Sequence, residues 1–235
     1  MSMLTLIAGF CQRTNIPVPI SVLGSSDPQI LQVMALLEEE GQDLASRLDW
    51  GVLLNEALHT TIASENQGSI DSIATNGFDH ISQDTLWDRT DQTPLYVVDS
   101  VQWQQIIAVQ ATTSEPQIRI RGGDLICTPA PAAGDQWAFE YVSKNWIVSA
   151  DGNTYSDEFN FDTDNVLLPE KLLRAGLRWR WKKEKGFDYD EDFRSYEMLI
   201  AKYTAGDGIH NVLKMDTNNT GRNPRVVVPD GSFNL

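Results

Sequence analysis

Three histidines, two cysteines and many carboxylates are the residues of this chain whose types could do chemistry. His59, His80 and His210 have no Cys, Asp or Glu at the spacing of a zinc site, so each reads as a surface or turn residue. Cys11 and Cys127 are far apart and in no metal-ligand spacing, which predicts two buried thiols in a reducing compartment. There is no Gly-x-Ser-x-Gly elbow, Walker loop or dinucleotide fingerprint. "RGGD" at 121–124 reads as a turn between strands rather than a phosphate cradle, because no helix follows it. Asp188, Asp190, Glu191 and Asp192 read as a solvated helix start, and "DTDN" at 162–165 lacks the spaced ligands and closing Glu of a calcium loop. A pair such as Glu140 and Asp157 would serve a hydrolase only if held within roughly 10 Å of each other. The expectation is no catalytic residue, no cofactor and no metal.

One feature rises above this background. Seven of the chain's 18 Lys and Arg fall between Lys171 and Lys185, with Glu184 the only one of 33 acids among them, in a chain of net charge -15. At helical steps Lys171, Arg174, Arg178, Lys182 and Lys185 form a stripe roughly 80° wide, flanked by Leu173, Leu177 and Trp181 on one side. Leu172 and Trp179 lie on another side. A solvated helix edge usually mixes signs. The single sign here leaves two readings open: a solvated edge, or a stripe facing an acidic partner or passing DNA. The acidity of the rest argues against non-specific nucleic-acid binding by the whole molecule.

The elements that must carry these residues follow from the same sequence. Residues 3–14 form a short apolar-faced helix, broken by the two prolines of "NIPVPIS". Asp27 and Pro28 open a longer helix with Ile30, Met34, Leu37, Leu44 and Leu48 at helical spacing. Glu38, Glu39, Glu40 and Asp43 are expected mostly off that face, and Gly41 is a weak point in it. From about residue 53 short β-forming runs alternate with turn residues, with one short helix at "SVQWQQIIAVQ". In "QWAFEYVS" the alternation puts Trp137, Phe139 and Tyr141 on one side as core. Helical grammar returns with "DNVLLPEKLLRAGLRWRWKKEKG", read as a single helix, and a second one capped by Asp188. Its Tyr189, Phe193, Tyr196, Ile200 and Tyr203 share a face. No stretch approaches the ~18 apolar residues of a membrane span. The start lacks the basic region of a signal peptide, so the protein is expected in the cytoplasm when made.

The predicted fold class is α+β: a helical bundle domain (1–58 plus 163–206) split by an inserted antiparallel β domain (59–162), with an extended C-terminal tail (207–235). The tail is too polar to fold alone. Yet Arg225, Val226, Val227, Val228 and Phe233 are anchors of the kind that order on a partner.

The stretch "SMLTLIAGFCQRTNIPVPISVLGSSDPQILQVMALLEEEGQDLASRLDW" resembles the opening of podovirus head-to-tail adaptor (connector) proteins of tailed phages. Those have a short helix, a turn (here Pro19, Val22, Gly24, Ser25, Ser26 and Asp27) and a long helix ending in a Trp (here Trp50). "DTLWDRT", "IRIRGGDLICTPAPAAGDQWAFEYVSKNWIVSADG" and "DTDNVLLPEKLLRAGLRWRWKKEKGFDY" are similar to later parts of the same family. The resemblance covers most of residues 3–205. It departs at "SENQGSIDSIATNGFDHI", where Ser69 to Ile73 and Phe78 stand in place of the family's strand.

The resemblance implies a non-enzymatic virion protein, assembled in the tail or neck as a dodecameric ring beneath the portal. The ring would extend the DNA channel and dock the tail nozzle and fibres or spikes. Its partners would be portal, nozzle, appendage and further copies of itself; packaged DNA would pass without specific binding, and no membrane is involved. Lys171, Arg174, Arg178, Lys182 and Lys185 would lie near the portal or channel. The tail anchors would grip the portal or a neighbouring subunit. The competing classes are a β-rich carbohydrate or cell-wall binding module with Trp87, Trp103, Trp137 and Trp146 as stacking platforms, and a peptidoglycan hydrolase using Glu140 and Asp157.

Overall fold

Two capping residues organise the start of the chain in the computed structural model, which describes residues 1–109 and 116–206. Ser2 Oγ accepts the Thr5 N–H at 3.3 Å and opens α1 (Met3–Thr14). The helix buries Met3, Leu6, Ile7, Phe10 and Cys11 on one face and ends at Asn15, whose left-handed backbone (φ 58°) suits an Asn. Asp27 accepts the Gln29 N–H at 2.9 Å and opens α2 (Pro28–Arg47). The connection between them is tied down from far along the chain, because the Asp162 carboxylate accepts the N–H groups of Val22 and Leu23.

A 3-10 turn (Gly51–Leu53) then leads into the sheets. In chain order come β1 (Leu54–Thr60), β2 (Asn66–Ser69), α3 (Ile70–Ile73), β3 (Phe78–Ile81), β4 (Trp87–Asp88), β5 (Thr93–Pro94) and β6 (Tyr96–Val97). After α4 (Ser100–Val109) follow β7 (Gln117–Arg121), β8 (Asp124–Thr128), β9 (Gln136–Ser143), β10 (Ile147–Val148), β11 (Tyr155–Ser156) and β12 (Asn165–Val166). One sheet is antiparallel with order β1-β9-β4-β5, and β3 also pairs with β9. A second has order β2-β8-β7-β6, with only the β6–β7 pair parallel, and a small third is β11-β10-β12. Gly122 and Gly123, with φ 65° and 85°, close the β7–β8 hairpin as their sequence predicts.

The last two helices are α5 (Glu170–Glu184) and α6 (Asp190–Gly206). The sequence reading ran a single helix from Asp164 onward. The structure instead makes Asn165–Val166 a strand on β10 and starts α5 after Pro169. Proline pushes the residue before it, Leu168, out of helical geometry. The protein is thus mixed α+β, with six α-helices among the described residues.

Two main buried clusters result. One gathers Leu6, Phe10, Val33, Leu37, Leu44, Leu173, Leu177 and Ile200 from the helices, and also takes in Trp146, Ile147 and Phe159. The other draws Ala57, Ile118, Leu125, Trp137, Phe139 and Tyr141 from the two larger sheets. Each fully buried large side chain contributes about 1.5–3 kcal/mol relative to exposure. Cys11 and Cys127 are buried free thiols, one in each cluster, and burial pushes the Cys127 thiol up to about 11. Gly41 is not a defect: any Cβ there would overlap the Trp146 ring, so a glycine is what lets the indole lie on α2. No helix among the described residues is long and apolar enough to cross a membrane.

Candidate functional site

The basic helix α5 lies among α1, α2 and α6, and most of its arginines and lysines have partners. Arg180 is buried and points at α2. Its Nε donates to Glu40 Oε2 at 2.6 Å, Nη2 to Asp43 at 3.0 Å, and Nη1 to Glu39. Glu40 is wholly buried, and its second oxygen accepts the Tyr196 hydroxyl of α6 at 2.5 Å. Burial pushes the Glu40 carboxyl up, against the pull of Tyr196 and Arg180. Burial and the Glu40 charge hold the Tyr196 phenol well above its ordinary range. Gly176 makes room for this cluster, since a Cβ there would overlap Glu40. Sequence reading placed Glu40 off the apolar face and left Arg180 outside the stripe. The available signal was spacing: Glu40 stands three residues after Leu37 and four before Leu44, on the buried face itself.

The stripe residues have these positions. Arg174 pairs with Glu170 at 2.6 Å, one turn earlier, and lies against Gly9 of α1. Arg178 and Lys182 both reach Asp192 of α6, Lys182 at 2.5 Å. Asp192 is nearly buried, which disfavours its charge, but the bonds from Lys182 and Arg178 outweigh this and hold its carboxyl below the usual range. Lys185 donates to Gln32 Oε1 at 2.7 Å, and Lys171 is exposed with no ion pair among the described residues. Trp179 packs edge-on to Phe193 at 5.1 Å and beside Tyr196, and the Arg180 guanidinium lies 4.9 Å from its ring. Its indole N–H is buried without a partner among the described residues. Of the stripe, Arg178, Lys182 and Lys185 tie α5 to its neighbours, Arg174 pairs within the helix, and Lys171, Arg178 and Lys185 stay exposed, as does Lys183 beside the stripe.

Three apolar side chains near the start of the chain are exposed. On the loop between α1 and α2, Val18, Ile20 and Leu23 are exposed, Ile20 to 96%, although Asp162 pins the backbone beside them. The other anchors proposed from sequence, Arg225 to Val228 and Phe233, lie outside the described residues, as does His210.

The remaining chemistry-bearing residues are dispersed. His59 of β1 sits 3.2 Å from Gln67. His80 of β3 lies between Asp79 (2.7 Å) and Asp49 (3.3 Å); burial opposes its charge, but the two carboxylates win and raise its pKa. Asp157 sits in the loop after β11, where its carbonyl accepts the Trp146 indole, whereas Glu140 faces outward on β9. Asp162 and Asp164 serve as acceptors for loop N–H groups. The carboxylates of Asp88, Asp91 and Asp135 converge within 4.8 Å of one another. Both Asp88 oxygens are already committed, to the Thr90 and Asp91 N–H groups and to the Trp137 indole. Trp103, Trp137 and Trp146 are buried, which leaves Trp87 as the half-buried member of the four proposed platforms. No protein-family model matches the sequence, and no curated protein matches it significantly.

Proposed function

We propose that the chain is a non-enzymatic structural protein of a tailed-phage virion: a head-to-tail adaptor that joins further copies in a ring beneath the portal. On this reading a helical bundle domain, split by the inserted β domain, grips the portal and its neighbours. The β part mounts the nozzle, fibre or spike, and the segment 207–235, with Arg225 to Val228 and Phe233, grips the portal or the next subunit. The resemblance in motif order across residues 3–205 motivates the reading. The single structural observation that supports it is the pinned, apolar α1–α2 loop. A contact loop already held in shape pays little ordering entropy when it docks, as repeated assembly into a ring requires.

The test is a mass measurement by light scattering of the purified chain, alone and with a purified portal ring. The expected result is assembly only with portal, abolished by Ile20→Asp at unchanged thermal unfolding. A chain that never associates with portal, or an Ile20→Asp variant that assembles like the parent, overturns the proposal.

A further inference from the structure

The outer face of the β1-β9-β4-β5 sheet carries a groove that the adaptor reading does not use. Register sets Glu56 opposite Glu140 and Leu58 opposite Ala138, while Trp87 faces Ala138 on one side and Pro94 on the other. Side chains two apart on a strand share a face. Glu56, Leu58, Trp87, Ala138 and Glu140 therefore lie on one face, and Ala57, Trp137, Phe139 and Tyr141 fill the core behind it. A shallow, open depression of about 480 Å³ lies there, with Glu56, Trp87, Asp88, Arg89, Gln92 and Glu140 among its lining residues. That volume falls within the ordinary range for small-ligand sites, about 300–1,000 Å³.

The walls are held in place from within. The neighbour of Trp87, Asp88, accepts the buried Trp137 indole at 3.0 Å and so fixes β4. The Thr85 hydroxyl accepts the Glu140 N–H at 3.2 Å, and Arg89 is paired with Glu56. Gln92 holds a left-handed backbone (φ 58°) at the groove's edge. Two glutamates directly opposite on one face also repel. Arg89 answers Glu56, while Glu140 has no ion pair among the described residues.

We infer that this groove binds a neutral pyranose sugar. The indole supplies a flat apolar surface for the C–H face of the ring. Glu140 and Glu56 accept hydrogen bonds from ring hydroxyls, and Arg89 and Gln92 donate to ring oxygens. Three carboxylates, Glu56, Asp88 and Glu140, against one guanidinium select against uronates, sialates and phosphates. The inference stands on the groove and not on the adaptor reading, and it claims binding without hydrolysis.

The test follows the Trp87 indole N–H resonance, assigned with Trp87→Phe, while the full chain is titrated with maltotriose, chitotriose, a neutral galactose trimer and trigalacturonate. A neutral sugar is expected to shift that resonance saturably, and the acidic one is not. Glu140→Gln should weaken binding about tenfold, the loss of roughly one hydrogen bond to a charged group, whereas Glu158→Gln, which removes the same charge elsewhere, should leave it unchanged. The inference falls if none of the neutral sugars shifts the resonance, if trigalacturonate binds equally, or if both glutamine variants behave alike. A shift caused instead by an arginine-glycine peptide would reassign the groove to a basic protein partner.

Discussion

Glu40 shows how one residue decides the packing of three helices. It is wholly buried, yet both carboxylate oxygens are used, one by Arg180 of α5 and one by Tyr196 of α6. Removing one partner of such a pair leaves an uncompensated charge in a dry site, which typically costs 3–5 kcal/mol. Arg180 keeps Glu39 and Asp43 as partners, so Glu40→Ala should cost about 3 kcal/mol, the lower end of that range. Replacing the whole cluster, with Glu40→Leu, Arg180→Met and Tyr196→Phe together, should recover most of that loss, because no polar group is then stranded. Urea unfolding of both variants measures this; equal losses would mean that Glu40 acts only by filling space. The cluster was half legible in the sequence. The spacing of Glu40 among leucines was readable, but α5 and α6 reach it across more than a hundred residues of chain, and no local pattern records that.

At the scale of elements, α2 declared itself by its cap, whereas α5 opens at Pro169 with no side-chain cap. Ser2 and Asp27 cap α1 and α2, while Asp188 accepts the Asp190 N–H at 3.2 Å in the turn just before α6. Of the two-residue strands, β4, β5, β6 and β10 fall within the β-forming runs "DTLWDRT", "TPLYVV" and "NWIVS", whereas β11 and β12 are set by their pairing with β10 and carry no hydrophobic period of their own. The seam between α5 and α6 depends on a different tie, the two cations of α5 on Asp192. The depressed pKa of Asp192 gives the sign of its pH dependence. Its contribution is complete above the ordinary carboxylate range and is lost as pH falls through its own lower value. Asp192→Asn should therefore lower the protection of α6 amides from hydrogen exchange at neutral pH and flatten the acid limb of stability against pH. Protection in α6 unchanged by the substitution would show that Trp179, Tyr196 and Ile200 hold the seam alone.

The charge of the whole molecule is the question on which assembly turns. A chain at -15 repels its own copies until some surface offsets that repulsion. The sequence offered the α5 stripe as that surface, but the structure uses much of it inside the fold. Reversing Arg178 or Lys182 would strand Asp192 and loosen α6, and a failed assembly would then report damage rather than contact. The cations of α5 still facing outward are Lys171, Lys183 and Lys185, with Arg178 half exposed beside its Asp192 partner. Lys171→Glu with Lys183→Glu should cost about 1 kcal/mol, because Lys183 lies 5.8 Å from the Trp179 ring and in the last turn of α5. If the outward face of α5 meets an acidic partner, the same double variant should assemble poorly on the portal ring. The deficit should be largest at low ionic strength, where the screening length grows to about 30 Å at 0.01 M salt, and should fade near 1 M, where it is about 3 Å. Ring yield on a sizing column across that series measures it. A variant that matches the parent at every salt concentration would make the outer edge of α5 a solvated surface, and would leave the apolar loop at Ile20 to carry the association.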